Sequence, residues 1–116
     1  MVRMSIYLTH RRRDPFADIS ADDFLRIRKY SCEARGPHCI KLASQRHHGL
    51  VRRSRRYNKQ LNVLINYQAV CHVCHTETGY ADSKENHEKF EQMQRDRYGA
   101  DVDTFYEMLE AAGKVL

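Results

Sequence analysis

The sequence has no tryptophan, no apolar run approaching the roughly 20 residues that cross a bilayer, and no acidic residue between positions 34 and 76. The first absence leaves the core to Leu, Ile, Val, Phe and Tyr. The second excludes a spanning helix. Arg11-Arg12-Arg13 follows rather than precedes the brief apolar stretch at 5–9, so no secretory leader is expected and the chain reads as soluble and cytoplasmic, with no membrane partner. The third absence divides the charge unevenly. Residues 1–33 hold seven bases and five acids, residues 34–76 eight bases and no acid, and residues 77–116 five bases and ten acids, for a total of +5. A long basic centre suits a polyanion, nucleic acid before others, although a solvated basic face has the same composition. There is no internal repeat and no low-complexity segment.

Four cysteines in a chain of a reducing compartment are metal ligands before they are disulfides. Cys71 and Cys74 have the two-residue spacing of a zinc knuckle. Cys32 and Cys39 have six residues between them, so the loop they bracket, which carries Gly36-Pro37, must bulge before returning to a shared ion. Four thiolates close a tetrahedral zinc site with no open position, which makes the site structural. A chain of this length buries a modest fraction of its surface and gains from such a staple. Replacement of one thiol by His38 or His72 stays open.

The elements follow from local signals. Residues 1–13 form a basic arm with at most a short strand at Ile6-Tyr7-Leu8, and Asp14-Pro15 breaks the chain. Ser20, with Asp23 three residues on, predicts a helix start, and the helix is expected to run to about Tyr30. A strand is expected to end near His47-His48, with Gly49 giving a sharp exit. Arg52, Arg53, Arg55, Arg56 and Lys59 form a basic loop, and Leu61 to Ile65 reads as a second strand or a tight turn. A helix should begin at 71–75. Another should reach Tyr98, with Gly99 as its cap. A last helix should be capped by Asp101 or Asp103, with Val102, Phe105, Tyr106, Leu109 and Ala112 on one side. These last two helices are expected to form an acidic hairpin. The divisions are a basic arm and helix over 1–30, a zinc-bound core over 31–81 and the hairpin over 82–116.

Histidines 47, 48 and 75 sit where phosphodiester hydrolysis would want them. A neutral imidazole can take a proton from water, while a divalent ion with open positions holds the phosphate and the departing oxygen. The order His47-His48, then Asn66, then Cys71-x-x-Cys74-His75 resembles the HNH, or ββα-metal, endonucleases. It is similar in particular to the zinc-containing members common in phages, in which four cysteines frame the motif. The resemblance implies an α+β fold: a small zinc-stapled ββα-metal core, one preceding helix and a C-terminal helical hairpin. It implies that His47 and His75 bind a catalytic Mg²⁺, Mn²⁺ or Zn²⁺, that His48 is the general base, and that Asn66 braces the loop holding the base. Cys32, Cys39, Cys71 and Cys74 would hold the structural zinc. The chain departs from the family pattern in its wide first cysteine pair, in having His rather than Asp at the first ligand position, and in lacking an acid before Asn66. The last departure leaves Asn58 and Asn62 as alternatives for the bracing part.

The expected function is therefore a metal-dependent DNA endonuclease, acting in the host cytoplasm if phage-encoded. RNA is a second candidate substrate and a homodimer is compatible with cutting both strands. Arg52, Arg53, Arg55, Arg56 and Lys59 would clamp the backbone without reading sequence. Two other classes compete: a catalytically inactive, zinc-stabilised nucleic-acid-binding module, and an interaction protein working through its acidic hairpin.

Overall fold

The computed structural model describes residues 13–116. The strand expected at Ile6-Tyr7-Leu8, His10 and most of the basic arm lie outside the described residues. Helix α1 spans Ala21–Ile27, and Ser20 Oγ accepts from the Asp23 amide at 3.1 Å, as the Ser-x-x-Asp spacing predicts. It stops short of Tyr30. Lys29 and Tyr30 adopt φ of 56° and 54°, and the Tyr30 amide turns back onto Leu25 O, closing the helix end.

Strands β1 (Gln45–His48) and β2 (Tyr67–Val70) pair antiparallel, with His47 opposite Gln68 and His48 opposite Tyr67. The second strand thus lies beyond the 61–65 run, which takes the turn rather than the strand of its two expected forms. That run closes a short helix, α2 (Asn58–Leu61), and a 3₁₀ turn at Leu64–Asn66. The Leu64 and Ile65 amides donate to Ala17 O and Pro15 O, so their hydrogen-bonding capacity goes to the N-terminal segment rather than to a ladder.

All four residues of β2 are buried, because both of its faces are covered. Tyr67 and Ala69 face α1 in a cluster with Ile19, Phe24, Leu25, Ala43 and Leu64. On the other face Val70 joins the cysteines, and Gln68 exchanges two 2.9 Å hydrogen bonds with Asn86. After β2 comes a short, wide helical turn of π type at Val73–Glu77, carrying Cys74 and His75.

Helices α3 (Lys84–Tyr98) and α4 (Asp101–Ala111) form the expected hairpin. Ser83 caps α3, and Gly99 turns the chain at φ 60°. Val102, Phe105 and Leu109 of α4 meet Phe90 of α3 over Leu50, Tyr57, Leu61, Val63 and Ile65. Two expectations for α4 fail. Ala100, not Asp101 or Asp103, occupies the cap position, and Ala112 is exposed beyond the helix end. Gly49 also serves another purpose than expected. It does not have a positive φ; a Cβ there would overlap the Phe90 ring, so close approach of strand and helix requires the glycine.

One carboxylate links the layers. Glu33, next to Cys32, accepts from the β2 amide of Ala69 at 2.9 Å and from Arg97 of α3 at 2.7 Å, with Arg28 at 3.8 Å.

Candidate functional site: a thiol cluster and a histidine cleft

The four cysteines meet. One ligand atom from each of Cys32, Cys39, Cys71 and Cys74 falls within 4.8 Å of the others. Zinc-bound thiolates at about 2.3 Å from the ion lie about 3.8 Å apart in a tetrahedron, and Cys39 Sγ is 3.7 Å from Cys71 Sγ. The Lys41 amide points at Cys39 Sγ (3.3 Å) and the Cys74 amide at Cys71 Sγ (3.4 Å), an arrangement that stabilises thiolates. Burial works against ionisation at Cys39, Cys71 and Cys74. At Cys71 it is outweighed by hydrogen bonds from the Cys74 and Ile40 amides and from neighbouring thiols, which bring the group down to about 6. At Cys74 burial, with its Cys71 and Cys39 neighbours, pushes the thiol up to about 12. Four negative sulfurs so close would repel, and a divalent cation removes the conflict. The site is compatible with a structural metal such as zinc.

The wide Cys32–Cys39 spacing is absorbed by an unusual backbone. Arg35 and His38 within the loop adopt positive φ (53° and 62°), as does Lys41 just after Cys39 (69°). Left-handed non-glycine residues cost roughly 1–3 kcal/mol each, so this loop needs a fastening from outside itself. His72 takes no part: it is exposed and pairs with Glu77 at 2.8 Å.

Beside this cluster the end of β1, the turn after β2 and a 3₁₀ segment at Tyr80–Asp82 before α3 enclose a cleft of about 640 Å³. Its lining includes His47, His48, His75, Arg46, Arg52, Arg53, Asn58, Asn62 and Asp82. The pleat explains the arrangement. Gln45 and His47 lie on one face of β1 and meet His75, whose Nδ1 is 2.6 Å from Gln45 Oε1 and whose ring centre is 5.3 Å from that of His47. Arg46 and His48 lie on the other face over Tyr67, at 4.6 and 5.7 Å from its ring centre. Both faces open into one cleft because the strand ends at His48.

Each imidazole has a distinct partner. His47 Nε2 contacts Ala81 O at 3.0 Å, with Asp82 Oδ1 at 3.6 Å. His48 Nε2 contacts Asn62 Oδ1 at 2.8 Å, and Asn62 Nδ2 in turn donates to Asn58 Oδ1 at 3.1 Å. Burial lowers the pKa of both His47 and His48 from the ordinary histidine value. Asp82 partly offsets this at His47. At His48 the Asn62 contact offsets it, while Arg53 and Arg46 push it further down.

Asn66 is fully buried. Its Oδ1 accepts from the Leu50 and Val51 amides (3.1 and 2.9 Å), and its Nδ2 donates to Val51 O and Leu61 O (3.0 and 3.1 Å). It therefore holds the turn that leaves His48. Asn58 and Asn62, the alternatives for that part, act on the His48 ring instead. Of the expected phosphate clamp, Arg52 and Arg53 line the cleft, and Arg52 is tied to Asp82 O at 3.0 Å. Arg55, Arg56 and Lys59 are exposed on the next turn and on α2, outside the cleft lining. Arg46, Gln45 and Asp82 were not singled out by sequence. Arg46 sits directly before the histidine pair, which was a readable signal. Gln45 and Asp82 gave none, because their role appears only once the strand pleats and the chain returns at 81–82.

Comparison with protein-family models, with curated proteins and with solved structures returned no match.

Proposed function

We propose that the protein is a metal-dependent DNA endonuclease of the HNH type and that the histidine cleft is its active site. The observation that carries this reading is the shared lining of His47, His48 and His75 with three arginines, although the histidines come from two elements 27 residues apart in sequence. The ring separation of His47 and His75 supports a shared cation. An ion about 2.1 Å from an imidazole nitrogen is about 3.2 Å from the ring centre, so two ligating rings stand about 4.6–5.3 Å apart, and these two are 5.3 Å apart. Such an ion would supply charge stabilisation at the phosphate and the departing 3′ oxygen.

The remaining chemistry belongs to side chains. His48, with its pKa lowered, is neutral near pH 7 and can take a proton from water. Arg46, Arg52 and Arg53 set phosphates across the cleft. Asn66 fixes the turn that aims the base.

The decisive experiment is plasmid nicking with added Mn²⁺ or Mg²⁺. His48→Ala should fold with its thiol-bound metal intact and lose about 10²–10⁴-fold in rate. Equal cutting by a folded His48→Ala removes the assignment. If no divalent ion supports cleavage while salt-sensitive DNA binding persists, the inactive binding module is the correct reading.

A further inference from the structure

The three imidazoles share a feature that their roles in hydrolysis do not require of them one by one. Each has one ring nitrogen engaged by an uncharged oxygen acceptor: His47 Nε2 by Ala81 O, His48 Nε2 by Asn62 Oδ1 and His75 Nδ1 by Gln45 Oε1. A backbone carbonyl can only accept, so His47 carries its proton on Nε2. Asn62 commits its amide nitrogen to Asn58, which turns its oxygen to His48. The Ala81 acceptor is itself held. Ala81 O also takes a 2.8 Å bond from Asn86 Nδ2, and Asn86 is locked to Gln68, both amides being fully buried. Two buried amides are costly unless satisfied, and here each satisfies the other while steadying the carbonyl beside His47.

A neutral histidine with one nitrogen donating has its lone pair on the other. Building on the nuclease reading, we propose that Asn62 and Gln45 are positioning residues that select the tautomers of the base and of one cation ligand. Asn62, backed by Asn58, fixes His48 with Nδ1 free to accept a proton. Gln45 fixes His75 with Nε2 free to bind the ion. Because both acceptors are amides rather than carboxylates, they orient the rings without adding negative charge to a cleft that must admit phosphate. Among the described residues Asp82 is the one carboxylate lining this cleft, and it stands at His47.

The two residues should fail in different ways, which a purely structural role would not produce. In ¹⁵N spectra of the purified protein at neutral pH, His48 should be protonated at Nε2 and His75 at Nδ1. The latter is diagnostic because free histidine side chains favour the Nε2–H form. Asn62→Leu should make His48 a tautomer mixture and slow single-turnover cleavage about 10–100-fold, leaving Mn²⁺ and DNA affinity at parent values. Gln45→Leu should weaken Mn²⁺ binding measured by calorimetry about 10–100-fold, and Gln45→Glu, which keeps the acceptor, should restore it. Unchanged His48 spectra in Asn62→Leu, or Mn²⁺ affinity unchanged in Gln45→Leu, overturns the proposal. Since spectra and calorimetry need no turnover, an inactive parent protein would count against the nuclease reading alone.

Discussion

On the proposed nuclease reading His48 is the general base, and its surroundings then predict a pH profile. Its folded-state pKa lies below the usual 6.5 through burial, with Arg53 and Arg46 adding to the effect. A base must be neutral to act, so cleavage is expected to be already at its plateau at pH 7 and to fall only below pH 6.5. Measured kcat against pH with saturating Mn²⁺ should show that acidic limb; a limb centred above pH 7 would contradict it. The same sign governs stability. His47 and His48 are favoured neutral in the fold, so their contribution is complete above pH 6.5 and is lost as pH falls through the folded values. Asn66 gives a separate test at this scale. Its four hydrogen bonds serve backbone groups of the 50–51 turn and of Leu61, so Asn66→Ala should cost about 2–4 kcal/mol in urea unfolding, with nicking reduced in the fraction that remains folded.

At the level of elements, β1 meets α3 where Gly49 lies under Phe90. Phe90→Ala should lower stability by about 3–5 kcal/mol, and Gly49→Ala by about 1–3 kcal/mol through overpacking, both read as shifts in the denaturation midpoint. This is also where sequence reading reached its limit. Signals carried by neighbouring residues were legible: the Ser20 and Gly99 ends, the strand entering His47-His48, and the hairpin face of Val102, Phe105 and Leu109. Two outcomes carry no local signal. The 61–65 run has strand composition, yet its amides are taken by Ala17 and Pro15, far away in sequence. The α1 terminus depends on a left-handed pair at 29–30 that contains no glycine. The two sites were half legible: the histidines, Asn66 and the cysteines stand out by type and order, and Asn62 was named for another part, whereas Gln45 and Asp82 matter through the partners that folding gives them.

For the whole molecule, the thiol cluster and the charge map make two predictions. If the four thiols hold a structural metal, its removal leaves a strained loop and four crowded sulfurs, so chelation is expected to lower the melting temperature sharply, and Cys74→Ser should do the same without a chelator. The basic centre should bind DNA with a strong salt dependence. Arg52→Ala and Arg53→Ala should each flatten the log–log slope by about one unit, whereas Arg55→Ala, outside the cleft, should weaken binding without slowing bound-state cleavage.

Glu33 carries these effects further than its position suggests. One residue from a thiol, it grips Arg97 in the last turn of α3, so the loop around the cysteines and the far end of the hairpin share a hinge pin. Stripping the ion should therefore loosen a region that holds none of its ligands. Amide deuterium uptake at 94–98 would accelerate along with that at 32–41, and Glu33→Gln would uncouple the two.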